Sequence, residues 1–306
     1  MLHVLTVVLP VFGLMGLGYA ARAVGYVTDR TGEGLSDFVF AVAIPALIFK
    51  TLTAADLPSS QPWGYWFSYF GGVLVTWTLA TLVARKFFAV SHVEGVVAGF
   101  TAGQSNTVLV GIPLILEAFG PEGAVPLFLL IAIHLPITMT TATVLAEGRG
   151  VPVRRILRQL VTNPLLIAIA VAVLAREFLP SGLPGAVKTI VDMLGAAASP
   201  CALFAMGIAL RRYGMGDQPV LAAILAGLKL VVHPLIVLVL ARYVFTVPYA
   251  WTGVAVMFAA MPCGVNAYLF AERYRTGVAI SSGAIAISTA VCVATSAIWL
   301  AIMGVR

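Results

Sequence analysis

The chain has 306 residues, of which 61% are apolar and only 10% are charged, and its formal net charge is +6. A soluble globular protein has roughly 45–50% apolar and about 25% charged residues. So few charges cannot cover a water-exposed surface, so the composition excludes a soluble enzyme or binding domain and predicts a membrane protein.

Apolar runs recur along the whole chain with only short connections between them. Each is long enough for a helix that crosses a ~30 Å hydrocarbon core, which takes about 20 residues. The period-two alternation of a membrane β-barrel is absent, so the sequence predicts an all-α polytopic protein with ten transmembrane helices. The ten runs cover residues 4–24, 35–53, 63–84, 93–119, 124–145, 163–179, 188–210, 219–241, 249–274 and 280–303.

Basic residues alternate between the connections, which indicates orientation in the membrane rather than binding to nucleic acid. Cytoplasmic loops carry the excess of Lys and Arg. We therefore expect a multi-pass protein of the plasma (inner) membrane with both termini on the non-cytoplasmic side. Twelve basic residues follow the odd-numbered runs: Arg22, Arg30, Arg85, Lys86, Arg149, Arg154, Arg155, Arg158, Arg211, Arg212, Arg273 and Arg275. Five lie on the other side: Lys50, Arg176, Lys188, Arg242 and Arg306.

The two halves of the chain resemble each other. "PALIF" at Pro45 recurs as "PCALF" at Pro200, an offset of 155 residues, and the same offset carries Glu117 onto Glu272. Residues 1–150 and 151–306 are thus predicted to be two repeats of five helices. Because five is odd, the second repeat enters the membrane from the opposite face, and such inverted repeats are typical of secondary transporters.

The fourth run is interrupted by four polar residues, Gln104, Ser105, Asn106 and Thr107. The offset of 155 places Thr107 on Pro262 in the ninth run, so both helices are predicted to break. We expect Ser105, Asn106 and Thr107 to cap a following half-helix, and Pro262 to begin one. The positive N-terminal ends of the two half-helices would form one site for a carboxylate, lined by these five residues.

Three basic side chains lie within other runs. His134 in the fifth run is a candidate substrate or proton group, although a structural hydrogen bond is the alternative. Lys229 and His233 are one helical turn apart in the eighth run. Lys229 is a candidate counter-charge for an anion, with snorkelling or bonding to carbonyls at a break as the alternative. Lys229 and His233 are also candidates for coupling or gate residues, because no Asp or Glu is evident in mid-membrane and proton coupling would have to use His134, His233, Lys229 or a carboxyl group of the substrate itself.

Further candidates lie near the breaks. Asn266, one turn beyond Pro262, offers both a hydrogen-bond donor and an acceptor to a substrate. Gly264 lies between them and is included among the substrate-binding candidates. Glu117 and Glu272 end the two broken runs, where they are candidates for gate or coupling residues.

Four segments resemble one known family: "SNTVLVGIPLILEAFG" in the fourth run, "NPLL" in the sixth, "SPCALFAMGIAL" in the seventh and "MPCGVNAYLFAERY" in the ninth. They are similar to the auxin efflux carrier family, which includes plant PIN-type carriers and bacterial malonate and organic-acid carriers. The chain departs from plant carriers at Ser105, where they tend to have Pro, and in the third run, which lacks a carboxylate.

The resemblance implies a fold and a mechanism. Helices 4 and 9 would cross in a transport domain of helices 3–5 and 8–10, with Asn106 and Pro262 marking the crossover beside an organic-anion site. Helices 1, 2, 6 and 7 would form a scaffold, usually a homodimer interface, along which the transport domain slides as an elevator.

The alternative functions are an enzyme and a channel. "GLGYAA" from Gly16 matches a dinucleotide fingerprint, but it lies in a membrane run with no preceding strand, and HExxH and GxSxG are absent. We therefore predict a carrier of a small organic anion, a mono- or dicarboxylate, with no cofactor and with H⁺ or Na⁺ as possible coupling ions. An ion or small-solute channel built on crossed half-helices stays the alternative.

Overall fold

The computed structural model describes residues 2–55, 62–148, 153–178, 183–214 and 216–305, and these residues are overwhelmingly helical. Twelve helices lie in the described ranges: α1 (Leu2–Ala23), α2 (Asp29–Ala54), α3 (Trp63–Phe87), α4 (His92–Gly103), α5 (Thr107–Glu147), α6 (Val153–Val161), α7 (Pro164–Phe178), α8 (Gly185–Leu210), α9 (Pro219–Val244), α10 (Tyr249–Ala260), α11 (Val265–Tyr274) and α12 (Val278–Ile302).

Seven helices in the described ranges are long and apolar enough to cross a membrane, namely α1, α2, α3, α5, α8, α9 and α12. The prediction of a polytopic all-α membrane protein is therefore confirmed, while ten crossings and inverted repeats stay predictions. The predicted repeat boundary between residues 150 and 151 lies outside the described residues, as do Arg149, Arg306 and the side chain of Arg155.

Three long helices depart from regular α geometry, and one of them, α9, contains π-helical segments at Leu228–Val232 and Leu240–Val244. α2 begins at Asp29, capped by the Thr28 side chain, and passes through a π-helical segment at Val39–Ala43. α5 continues through Pro113 as a helix and kinks at Gly120, whose φ of 55° and ψ of −146° are accessible to glycine. Pro113 is therefore not the point at which this part of the chain breaks.

The most extensive helix contacts fall into two groups. In the first, α8 packs against α1 and α2, and α2 also packs against α7. A side chain at Gly18 or Gly207 would collide with the backbone of the facing helix, so these glycines bring α1 and α8 together. In the second group, α3 packs against α4 and α9, α10 against α5 and α9, and α12 against α9.

The two breaks pair with each other through their backbones. The first separates Gly103 at the end of α4 from Thr107, and the second separates Ala260 at the end of α10 from Val265. Across them, the N–H of Asn106 donates to the carbonyl of Pro262 at 2.8 Å, and the N–H of Gly264 donates to the carbonyl of Gln104 at 2.9 Å. This antiparallel bridge centred on Ser105 and Cys263 joins two otherwise separate parts of the chain.

The two residues at the centre of the bridge direct their N–H groups outward to the neighbouring long helices. The N–H of Ser105 donates to Nε2 of His134 on α5 at 3.4 Å, and the N–H of Cys263 donates to Oγ of Ser288 on α12 at 3.0 Å. An unpaired backbone group costs several kcal/mol in lipid. These two side chains therefore allow irregular backbone at this depth.

The local geometry corrects two predictions about the breaks. Asn106 stands directly before the π-helical start of α5, but its side chain makes no capping bond; its Nδ2 donates instead to Sδ of Met206 at 3.2 Å. Pro262 does not begin the second half-helix, because Gly264 precedes α11 and Pro262 lies in the extended segment. Within the bridge Ser105 faces Cys263, and the N–H that reaches the Pro262 carbonyl is that of Asn106.

We predict that Ser288→Ala destabilises the protein because it leaves the buried N–H of Cys263 without an acceptor, at a cost of about 1–3 kcal/mol. Thermal unfolding of detergent-purified protein, followed by intrinsic fluorescence, measures the effect. Ser296→Ala is the matched control on α12, since the hydroxyl of Ser296 is equally buried and donates to the Val293 carbonyl of its own helix. Equal unfolding temperatures for the two variants would contradict the assigned role of Ser288.

Candidate functional site

A cavity of about 530 Å³ lies against the two paired breaks. Its walls come from the breaks themselves, the first part of α2, the middle of α5, the region of α6 and α7, and the end of α8. Of the predicted site residues, the cavity is lined by Gln104, Ser105, Asn106, Thr107, His134, Gly264 and Asn266. The sequence-predicted ligands around both breaks are therefore brought together, except for Pro262, which is buried and whose carbonyl belongs to the bridge.

Both half-helices direct their N-terminal ends at this cavity. The first turn of α5 contributes Thr107, Val108 and Leu109 to the wall, and that of α11 contributes Val265 and Asn266. The N–H groups of a helix's first turn lack carbonyl partners within the helix and carry about half a positive charge. Two such ends around one buried cavity attract an anion and offer it hydrogen-bond donors.

Two amides on the cavity wall differ in how they are held. The Gln104 side chain is fixed, because its Oε1 accepts a hydrogen bond from the Thr138 hydroxyl at 2.8 Å. The Asn266 side chain is half-buried and makes no hydrogen bond within the described part of the chain. Asn266 is therefore free to bind a ligand, whereas Gln104 supports the shape of the wall.

His134 joins the cavity wall to the protein interior. It is 1% exposed, its Nδ1 lies 3.0 Å from the Tyr69 hydroxyl, and its Nε2 accepts from the N–H of Ser105. The acceptor role of Nε2 places the proton of the neutral ring on Nδ1, which donates to Tyr69. The predicted alternative of a structural hydrogen bond is thus realised, and His134 also lines the cavity.

Lys229 and His233 lie behind the breaks and do not line the cavity. Both are fully buried, and Nζ of Lys229 lies 3.2 Å from Nδ1 of His233. Nζ also donates to the carbonyl of Ala259 at the end of α10. Lys229 therefore compensates the negative end of a half-helix, as the predicted alternative of bonding to carbonyls at a break requires.

The two glutamates predicted as gate or coupling residues lie elsewhere. Glu117 and Glu272 are both exposed, and neither lines the cavity. Glu272 accepts a hydrogen bond from the Tyr268 hydroxyl one turn earlier, at 2.5 Å. The described geometry therefore does not bring either carboxylate to the paired breaks.

The sequence-based prediction of the site does not include the charged residues at the outer part of the cavity. Asp29, Glu33 and Asp37 follow one another at i, i+4 and i+8 along α2 and line the cavity together with Arg212. Arg22 pairs with Asp29 at 2.8 Å, and Arg212 pairs with Glu33 at 2.7 Å. A signal for the helix start is present in the sequence, because Thr28 before "DRTGEGLSD" is a capping residue, but the apolar run itself begins only at residue 35.

A second cavity, of about 1200 Å³, lies between the end of α2, the kink in α5 and the start of α8. Its polar wall includes Lys50 and Lys188, which pair with the same Asp192 at 2.9 and 2.7 Å. It shares no lining residue with the first cavity.

Comparison with known proteins identifies the family of the chain. The family described as "Membrane transport protein" matches residues 3–155 and 151–300. A "Putative malonate transporter" of Rhizobium meliloti (strain 1021) is 27% identical over 303 residues, which is 96% of this chain and 94% of that protein. An "Uncharacterized transporter" of Methanothermobacter thermautotrophicus is 28% identical over 315 residues, covering 97% of each chain.

A third relative is much longer than this chain. The "Lysosomal cholesterol signaling protein" of Mus musculus is 25% identical over 310 residues, which is 91% of this chain but 35% of the mouse protein. The family match spans nearly all of the sequence, and the relatives that match along their full length are named transporters rather than enzymes. The chain therefore belongs to the membrane transport protein family, which is the auxin efflux carrier family.

Proposed function

We propose that the protein is a secondary carrier that moves a small organic anion, a mono- or dicarboxylate such as malonate, across the plasma membrane. The observation that carries the proposal is the meeting of two half-helix N-termini in one cavity, at Thr107–Leu109 and Val265–Asn266. A carboxylate placed there would accept hydrogen bonds from free backbone N–H groups and from the Asn266 side chain. The name of the Rhizobium meliloti relative supports malonate as the first substrate to test.

Alternating access is supported by the two separate cavities. The first opens beside Asp29 and Arg212, which flank connections that the loop charges assign to the cytoplasm. The second lies toward the opposite ends of α2 and α8, and the two cavities share no lining residue. A carrier needs a barrier that closes one side of the membrane, whereas a channel needs a continuous path. We therefore assign the structure to an inward-facing state.

The two groups of helix contacts support a division into a fixed part and a moving part. α1, α2, α7 and α8 would form the scaffold, and α3–α5 with α9–α12 would form the transport domain, which carries the crossing breaks as one unit. In this scheme the two inverted repeats each contribute to both parts, the chain crosses the membrane ten times, and both termini lie outside. The scaffold would form a homodimer and would remain fixed while the transport domain moves as an elevator.

We predict that purified protein in proteoliposomes exchanges external radiolabelled malonate for unlabelled malonate trapped inside. The same assay with acetate, succinate and citrate measures which size of carboxylate is accepted. Repeating it with and without imposed proton and sodium gradients measures whether either ion is coupled to transport. Protein-free liposomes are the control. Ohmic ion currents without exchange of any carboxylate would contradict the carrier and favour a channel.

We predict that Asn266→Ala weakens substrate binding, because a hydrogen bond to a charged group is worth about 1.5–3 kcal/mol and its loss raises KM roughly 10- to 100-fold. Asn266→Asp tests the charge at nearly constant size and should abolish exchange by repelling the anion. Thr78→Val on the exposed face of α3 is the control. An unchanged KM in both Asn266 variants, with normal folding, would place the anion elsewhere.

A further inference from the structure

Lys229 is a fully buried lysine that has no acidic partner among the residues that the structure describes. It forms no salt bridge with any described residue, and its described polar contacts are the Ala259 carbonyl and Nδ1 of His233. The titratable groups nearest to it on other segments are the thiols of Cys263 in the second break and of Cys292 on α12, with His134 farther away. A buried charge is costly unless it is paired. Because only a helix end and an imidazole hold this lysine, we infer that it has a role besides packing.

The Lys229–His233 pair has two protonation states that keep the same contacts. With the lysine charged, the ammonium donates to Ala259 and to an unprotonated Nδ1 of His233. With the lysine neutral, the amine still donates to Ala259 and accepts a hydrogen bond from the Nδ1–H of His233. Two positive charges 3.2 Å apart are strongly disfavoured in this buried setting, so the pair holds either one excess proton or none.

The other ring nitrogen of His233, Nε2, gives that proton a path between the Lys229–His233 pair and the rest of the protein. Nε2 is buried and has no hydrogen-bond partner among the described residues. It faces α3, where Gly72 leaves room and the Tyr69 ring lies 5.5 Å from the His233 ring, centroid to centroid. Tyr69 in turn contacts His134 on the cavity wall. A line of titratable side chains thus runs from the buried lysine to the substrate cavity.

We propose that Lys229 and His233 are the proton store that couples anion transport to proton movement, connected to the cavity through Tyr69 and His134. The proposal rests on the carrier function proposed above. In the loading step, a proton from the cavity adds to Nε2 of His134, the proton on Nδ1 of His134 passes to the oxygen of Tyr69, and the hydroxyl proton of Tyr69 passes to Nε2 of His233. The proton on Nδ1 of His233 then moves to Nζ of Lys229. Both imidazoles and the phenol end neutral, the amine becomes an ammonium, and release is the reverse of these steps.

Arrival of the proton at His134 also changes the break. A neutral His134 accepts the N–H of Ser105 at Nε2, but a protonated His134 donates from both ring nitrogens and cannot accept it. Proton passage therefore breaks one of the hydrogen bonds that hold the irregular backbone beside the anion. The hydrogen bond between Ser105 and His134 therefore links the charge of the Lys229–His233 pair to the geometry of the binding site.

The test measures malonate and proton uptake together in proteoliposomes that contain a trapped pH-sensitive dye. Wild type should take up protons in a fixed ratio to malonate and accumulate malonate when the outside is acidified. Lys229→Met should lose both effects but keep exchange of malonate for malonate, which requires no net proton transfer. His92→Asn is the control, because His92 lies on the exposed surface and bonds to the Leu145 carbonyl.

His233→Asn separates a proton store from a structural cap. The asparagine oxygen replaces Nδ1 as a partner for Lys229 but offers nothing at Nε2, so the cap persists while the exit for the proton is removed. We expect this variant to fold as wild type, to exchange malonate and to move no protons with it.

Three results would overturn the proposal while leaving the carrier function intact: malonate uptake by wild type without protons, a wild-type proton ratio in Lys229→Met, or a wild-type ratio in His233→Asn. The second result would assign the proton to a carboxyl group of the substrate itself. If either variant fails to fold, the ratio of protons to malonate taken up by wild type still tests the proposal, because malonate uptake without protons would overturn it. Failure of wild type to exchange any carboxylate would instead contradict the proposed function.

Discussion

The arrangement of the site depends on one constraint, which is that backbone N–H groups inside a membrane must have partners. Two helices stop in the middle of the protein, at Gly103 and Ala260, and each leaves a short extended segment. The segments satisfy each other through the bridge between Ser105 and Cys263, and His134 and Ser288 satisfy the remaining outward N–H groups. Because the pairing fixes both breaks at one place, the half-helices that follow both begin at the same cavity.

The positive character of the proposed site comes chiefly from the backbone rather than from basic side chains. Lys229 stands at the opposite, negative end of α10 and does not reach the cavity. The acidic residues of α2 at the cavity mouth are partly neutralised, since Asp29 pairs with Arg22 and Glu33 with Arg212. A weakly held anion, bound by dipoles and an amide, suits a carrier that must release its substrate on the other side.

Much of the fold and of the site follows from the sequence, because hydrophobic length and polar interruptions are local signals. The break at Gln104–Thr107 and the position of Asn266 close to the second break were accessible in this way. The pairing register was not, since it depends on contacts between residues about 158 positions apart, and Pro262 and the Asn106 side chain were misassigned for that reason. The acidic stripe of α2 was missed because a polar first turn shortens an apolar run.

The most direct test of the account is a crystal structure of the protein with bromomalonate, whose bromine is located by anomalous scattering. We predict a bromine peak in the first cavity, with a carboxylate within hydrogen-bond distance of the first-turn N–H groups of α5 and α11 and of the Asn266 side chain. A peak in the second cavity beside Lys50 and Lys188, and none between the half-helices, would contradict the claim that the paired breaks form the anion site.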